Sequence, residues 1–174
     1  MPGAHRNPDR SIATSRRTRY VHPMKIVRGD LLELAIAGEF DVIVHGCNCR
    51  CQMGKGIALS IKRRFPEAHE ADRRTEKGSR AKLGTFSHAT VRQGDHEFVV
   101  VNAYTQFHWR GDGVLADYDA IANVMASIAR VFHGRRIGYP LIGAGLAGGD
   151  WRRIAEIIDR ALDGEDHTLV AFDG

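Results

Sequence analysis

Asp41–Gly46, which reads Asp-Val-Ile-Val-His-Gly, restricts the fold more than any other segment of the chain. Its apolar residues run without polar alternation, so as a strand it must be covered on both faces, as in a parallel sheet with helices packed on each side. The flanking segments make the same demand. Lys25–Gly29 reads as a strand and Asp30–Gly38 as a short helical turn closed by Gly38. Ile57, Ala58, Ile61 and Phe65 recur at helical spacing up to Pro66, which restarts a polar helix over 66–78. Gly84–Val91 and His96–Tyr104 are strands around the turn sequence Arg92–Asp95. Ile121, Val124, Met125, Ile128 and Phe132 form one helical stripe, and Trp151, Ile154, Ile158 and Leu162 another, with Arg135–Leu141 and His167–Phe172 as strands. Six strands alternating with four or five helices predict a three-layer α/β/α sandwich with a mixed, mostly parallel six-stranded sheet and one antiparallel hairpin.

Charge divides the chain in two. Residues 1–23 hold five arginines against Asp9, and so carry the whole net charge of +4. The expectation is an Arg-rich disordered extension over 1–23 and a single neutral domain over 24–174. The extension lacks the apolar core of a secretory signal and has no clear amphipathic stripe, so a transit peptide is the weaker reading. A basic tail on a neutral body says little about the body's partner. No apolar run approaches the ~18 residues of a membrane span, and no membrane partner is expected. Cys47, Cys49 and Cys51 are too few and too clustered for a disulfide framework, and no second ligand pair at metal spacing accompanies them. They read as buried small side chains in a reducing, cytoplasmic compartment, with no metal and no cofactor expected.

Two strand-to-helix connections are rich in glycine: Gly46–Gly56 and Gly143–Gly149. In parallel sheets ligands bind outside the carboxyl ends of the strands, and glycines let backbone amides approach phosphate oxygens there. Two such loops suit a diphosphate. A Walker A loop is excluded because Gly56 stands where its hydroxyl residue belongs. Gly143, Gly145 and Gly148 do match G-x-G-x-x-G, with Asp173 beyond the next strand. A Rossmann-type, NAD-dependent oxidoreductase fragment is therefore the alternative, although only one strand follows that loop.

Gly29–Leu34, Val44–Ala68 and Tyr139–Trp151, in this order and spacing, resemble macrodomains, the α/β/α modules that bind ADP-ribose. The likeness is strongest to the branch of DNA ADP-ribosyl glycohydrolase antitoxins and the terminal ADP-ribose glycohydrolase. It implies a module binding ADP-ribose, free or attached to protein or nucleic acid; a monomer is expected. Asp30 and Leu31 would hold adenine, though Asp30 also suits the cap of its helix. Asn48 would contact the distal ribose, and Gly54, Lys55, Gly56 and Ile57 the distal phosphate and ribose, while an exposed lysine such as Lys55 has a plain surface role as its alternative. Gly143, Ala144, Gly145, Leu146 and Ala147 would embrace the diphosphate. Tyr104 would wall the site or merely pack. Hydrolysis of an ADP-ribosyl bond or an ADP-ribose derivative stays open. Gln106 occupies the position of the branch's usual catalytic lysine, and Ala147 that of an aspartate found in some members. Gln cannot form a Schiff base with opened ribose, which leaves a water held by Asn48 with His108 as general acid or base.

Overall fold

The computed structural model describes residues 24–172; the extension expected over 1–23, and Asp173, lie outside the described residues. In chain order come Lys25–Arg28 (β1), Leu31–Ile36 (α1), Val42–Asn48 (β2), Gly56–Arg64 (α2) and Pro66–Arg73 (α3). Phe86–Gln93 (β3), His96–Gln106 (β4), Tyr118–Val131 (α4), Ile137–Tyr139 (β5), Trp151–Ala161 (α5) and His167–Ala171 (β6) complete it. One six-stranded sheet runs in the order β1-β6-β5-β2-β4-β3. Only β3 and β4 pair antiparallel, around a tight turn where Gly94 has φ +58°. The α/β/α sandwich with its mostly parallel sheet is the architecture the patterning predicts.

Strand alternation sorts the core into two layers. Val42 and Val44 of β2 join Val101 and Ala103 of β4 and Ile137 and Tyr139 of β5 under α4 and α5. Ile43, between the two valines, packs with Val100, Phe98 and Val170 under α1, α2 and α3. Each such side chain contributes about 1.5–3 kcal/mol on burial. That is why Asp41–Gly46 carries no polar alternation.

The α2–α3 break follows from Pro66. Helical angles are disfavoured for a residue before proline, and Phe65 sits at φ −129°, ψ 72°. Its ring is fully buried edge-on against Phe98, 5.2 Å away. The helix expected over 66–78 stops early, at Arg73. There the Thr75 hydroxyl donates to the Asp72 carbonyl at 2.6 Å, offering the backbone a turn in place of a further helical bond. Gly78, at φ +79°, then sends its N–H to the Cys49 carbonyl at 2.7 Å, docking this segment beneath the first glycine loop. A short 3₁₀ turn over Arg80–Lys82 follows, which periodicity does not reveal. At the other end of the hairpin β4 continues beyond the expected Tyr104 to Gln106, so Gln106 belongs to the strand and not to the loop after it.

Candidate functional site

β2 and β5 are neighbours in the sheet, but the chain leaving β2 enters α2 on one face and the chain leaving β5 enters α5 on the other. Connections that diverge from adjacent strands open a crevice at their carboxyl ends. A cleft of about 680 Å³ occupies that position, bounded by the two glycine loops. The loops approach closely across it: a Cβ placed on Gly56 would lie 3.6 Å from Leu146 Cδ1.

The first loop is shaped by side chains. Asn48 Oδ1 accepts from the N–H of Arg50 at 3.0 Å and of Gln52 at 3.3 Å, and its amide donates to the Gln52 carbonyl at 2.8 Å. Cys51 takes a left-handed φ of +54° as the chain turns. Lys55 then stands at the N-cap of α2 without supplying a side-chain cap, and Gly56, at φ +56°, opens the helix. The amides of Gly56, Ile57 and Ala58 donate to no acceptor among the described residues, and all three residues line the cleft. An uncapped helix start of this kind is suited to anionic oxygen.

Beneath the loop lies a buried charged network. Lys82 Nζ is 3.7 Å from Asp72 Oδ1, 3.4 Å from the Cys49 carbonyl and 3.2 Å from Cys51 Sγ. Its ammonium also stands 4.3 Å over the Tyr104 ring. The Tyr104 hydroxyl donates to Asp72 Oδ1 at 2.9 Å and lies 2.8 Å from Ser87 Oγ. Asn102 donates to the Ala68 carbonyl and to Ser87 Oγ, and its Oδ1 lies 2.8 Å from His45 Nε2. Because Oδ1 only accepts, neutral His45 carries its proton on Nε2. Burial lowers His45 to about 4, with the Asn102 bond and nearby Asp72 opposing the shift. Burial likewise pushes the Cys47 and Cys49 thiols up, which makes them inert packing groups. Among the described residues no cluster of His, Cys, Asp and Glu is arranged to hold a metal.

The second loop is shaped mainly by backbone bonds, and its Ala147 carbonyl accepts from the N–H groups of Leu115 and Ala116 at 2.8 and 3.2 Å. The Gly149 N–H donates to the Gly143 carbonyl at 2.8 Å and the Gly148 N–H to the Gly145 carbonyl at 3.0 Å. Asp150 caps α5 by accepting from the Arg152 N–H. Gly143 has φ +73°, and a Cβ there would also press on Ile154, Ala116 and Ile121 at 3.2–3.3 Å. Only glycine suits that position.

Nine of the residues singled out from sequence line the cleft: Asn48, Gly54, Lys55, Gly56, Ile57, Gly143, Gly145, Leu146 and Ala147. Gln106 lines it as well, its amide donating to the His108 carbonyl at 2.8 Å. Ala144 does not. Tyr104 is 1% exposed and held by Asp72 and Ser87, so it is a packing residue of the network and no wall of the site. His108 is outside the lining too; its Nδ1 accepts from the Arg110 N–H at 3.0 Å and its ring stacks on Trp109. Asp30 caps α1 through the N–H groups of Leu32 and Glu33, and Leu31 is buried beneath it. Both stand beside the β6 end of the cleft without lining it. Sequence reasoning passed over Val170 and Phe172 at that end, Pro140 and Leu141 after β5, and Arg110 and Gln52 at the opposite end. Among the described residues the charged side chains of the lining are Lys55 and Arg110, with no carboxylate.

A family model described as Macro domain matches residues 44–158, which takes in both glycine loops. The chain belongs to the macro domain family. It is 35% identical over 141 residues to an uncharacterized 17.5 kDa protein of Enterobacteria phage T4, covering 78% of this chain and 88% of that protein. A DNA ADP-ribosyl glycohydrolase of Mycobacterium tuberculosis is 31% identical over 128 residues, 74% of this chain but only 35% of the relative. The chain thus spans about a third of such a glycohydrolase. The solved macrodomain of Mycobacterium tuberculosis DarG superposes with a TM-score of 0.63 at 27% identity, covering 86% of this chain and 96% of that one. Membership in this family removes the dehydrogenase alternative. In this macro domain the G-x-G-x-x-G loop follows β5, which lies between β6 and β2 in the sheet, whereas the dinucleotide fingerprint belongs to the first βα turn of its fold. Among the described residues no helix is long and apolar enough to cross a membrane.

Proposed function

We propose that this macro domain binds the ADP-ribose unit of an ADP-ribosylated nucleic acid. The observation that carries the reading is the crevice between two glycine loops. It combines an uncapped helix start and two cationic side chains with, among the described residues, no carboxylate, surroundings that suit a diphosphate. The amides of Gly54, Lys55, Gly56 and Ile57 would take one phosphate, while Gly143, Gly145, Leu146 and Ala147 enclose the other. Adenine would lie toward β6, where Val170 and the exposed Phe172 ring offer an apolar face, with Asp30 and Leu31 close by. The distal ribose, and the target attached to it, would then lie toward Asn48, Gln52, Gln106 and Trp109. The name of the Mycobacterium tuberculosis relative supports nucleic acid as the target class.

Binding without hydrolysis fits the lining best. Displacement at the anomeric carbon needs a nucleophile or activated water and an acid for the leaving group. Gln106 and Ala147 provide neither, and His108 stands off the lining. Calorimetric titration with ADP-ribose, AMP and NAD tests the reading. A Kd of about 10⁻⁶ M for ADP-ribose, equivalent to ~−8 kcal/mol, with much weaker AMP is expected. Heat with NAD and none with ADP-ribose overturns it. Release of ADP-ribose from a modified oligonucleotide, abolished by Asn48→Ala, would restore the hydrolase reading.

A further inference from the structure

A second recess, of about 490 Å³, opens beside the cleft. Its floor is the loop Cys51–Gly54, and its walls are Lys62 of α2, His69 and Arg73 of α3, and Lys77 of the following turn. Gln52 and Gly54 line both cavities, so the recess shares a rim with the cleft at the end near Asn48. His69 and Arg73 lie one helical turn apart on the same face of α3. No ion pair among the described residues engages Lys62, Arg73 or Lys77. Of the acids on α3 near His69, Glu70 pairs with Arg74, and Asp72, 1% exposed, meets Lys82 and Tyr104. Burial, then Lys62 and Arg73, hold the His69 imidazole below its usual range against the opposing pull of Asp72 and Glu70, so Lys62 and Arg73 both act on the space that His69 faces.

Unpaired cations gathered in a concave site repel one another until an anion enters. Met53 is the large apolar side chain of the lining, and it is 3% exposed. Among the described residues no Phe, Tyr or Trp lines the recess to stack on a base. Resting on the reading of the cleft given above, we infer that this recess holds a backbone phosphate of the strand that bears the ADP-ribose, adjacent to the modified nucleotide. The shared rim sets it at the target end, and Arg73 supplies the planar fork that matches phosphate oxygens. Its contribution is indifferent to base sequence, because phosphate contacts position a strand without specifying it.

The test compares the full chain with its K62Q/R73Q/K77Q variant, all three sites being exposed. Fluorescence anisotropy with an unmodified single-stranded dodecamer at low ionic strength should show about tenfold weaker binding by the variant. The slope of log K against log salt should fall by about 0.7 for each phosphate that the variant no longer neutralises. Both proteins carry residues 1–23, so the contribution of the basic extension cancels. Calorimetry should give equal ADP-ribose affinities within about twofold, since a cleft left intact leaves Kd unchanged. Unchanged oligonucleotide affinity and slope overturn the inference. An equal loss with a polyglutamate peptide also overturns it, in favour of an acidic polypeptide. If neither protein binds ADP-ribose while the oligonucleotide loss persists, the reading of the cleft fails and the recess stands.

Discussion

The loop after β2 is held in shape from below and from the side: Asn48 gathers three of its backbone groups, and Lys82 reaches up from a buried pair with Asp72. The loop after β5 closes on itself, through backbone bonds from Gly148 and Gly149 and a cap from Asp150. The contrast shows where each can be damaged. Shaping by side chains leaves the amides at the start of α2 uncommitted and aimed for a ligand, but it makes the first loop depend on residues outside the cleft. Shaping mainly by backbone bonds, its own and those that Leu115 and Ala116 give to the Ala147 carbonyl, leaves the second loop most sensitive at its packed glycines.

Asp72→Ala tests that dependence with the largest expected effect. It leaves the Lys82 ammonium, 7% exposed, without a counter-charge. Removing one partner of a buried pair costs about 3–5 kcal/mol, measurable as a lower urea midpoint. Asp72→Ala with Lys82→Met should recover part of the loss, since replacing both charges is much less costly than orphaning one. A cost below ~1 kcal/mol for the single variant, the range of an exposed pair, would mean that the network does not hold the loop.

Acid probes the same side of the molecule. His45 is neutral in the fold, with a pKa of about 4, against ~6.5 in an unfolded chain. Above pH ~6.5 neither state binds the proton, so the full stability is present. As the pH falls from ~6.5 to about 4 the unfolded chain gains a proton that the folded one refuses, and stability drops by about 3 kcal/mol. His167, also lowered by burial, adds to the same trend from β6. Unfolding free energy followed against pH should therefore fall toward acid, and His45→Gln should flatten the curve. An unaltered slope in that variant would assign the acid sensitivity to β6 and the second half of the sheet.

Gly56→Val strikes the cleft itself. The residue sits at φ +56° and faces Leu146 across the opening, so a branched side chain is both strained and obstructive. ADP-ribose affinity should weaken by about 100-fold, or ~2.7 kcal/mol. Binding within about threefold of the native value, a change of under ~0.7 kcal/mol, would show that the ligand does not seat at the start of α2.

These tests fall on residues of unequal visibility in the sequence. Val42–Val44, Pro66 and the glycines of both loops act through local geometry, and local patterning reveals them. Val170 and Phe172 reach the cleft only because β6 lies beside β5, and strand order is not written in periodicity. Tyr104 and Gln106 show a subtler obstacle. Their parity suggests one face, but the pairing with β2 shifts register between Cys47 and Asn48, so Tyr104 opposes Cys47 and Gln106 opposes Asn48. That irregularity lets Gln106 line the cleft while Tyr104 stays in the buried network. Asp72 sits in a stretch that reads as solvated polar helix, and Lys82 in the polar connection that follows it. Nothing in their neighbours signals that both become almost fully buried.

The smallest effect is the sharpest comparison. Gly145 lies between Gly143 and Ala147 in the second loop, yet a Cβ added there meets no atom within 4 Å, and its φ lies outside the left-handed region. Gly145→Ala should leave stability unchanged, or raise it by about 0.4–1 kcal/mol through the less flexible unfolded chain. Gly143→Ala, strained and packed against Ile154, Ala116 and Ile121, should lower stability by more than that. If the second loop chiefly walls the diphosphate, Gly145→Ala should also weaken ADP-ribose binding by less than about threefold, under ~0.7 kcal/mol. A loss of tenfold or more, ~1.4 kcal/mol, at unchanged stability would mean that a phosphate rests against the Gly145 backbone. The self-closed loop, and not the one held by side chains, would then be the tighter grip on the ligand.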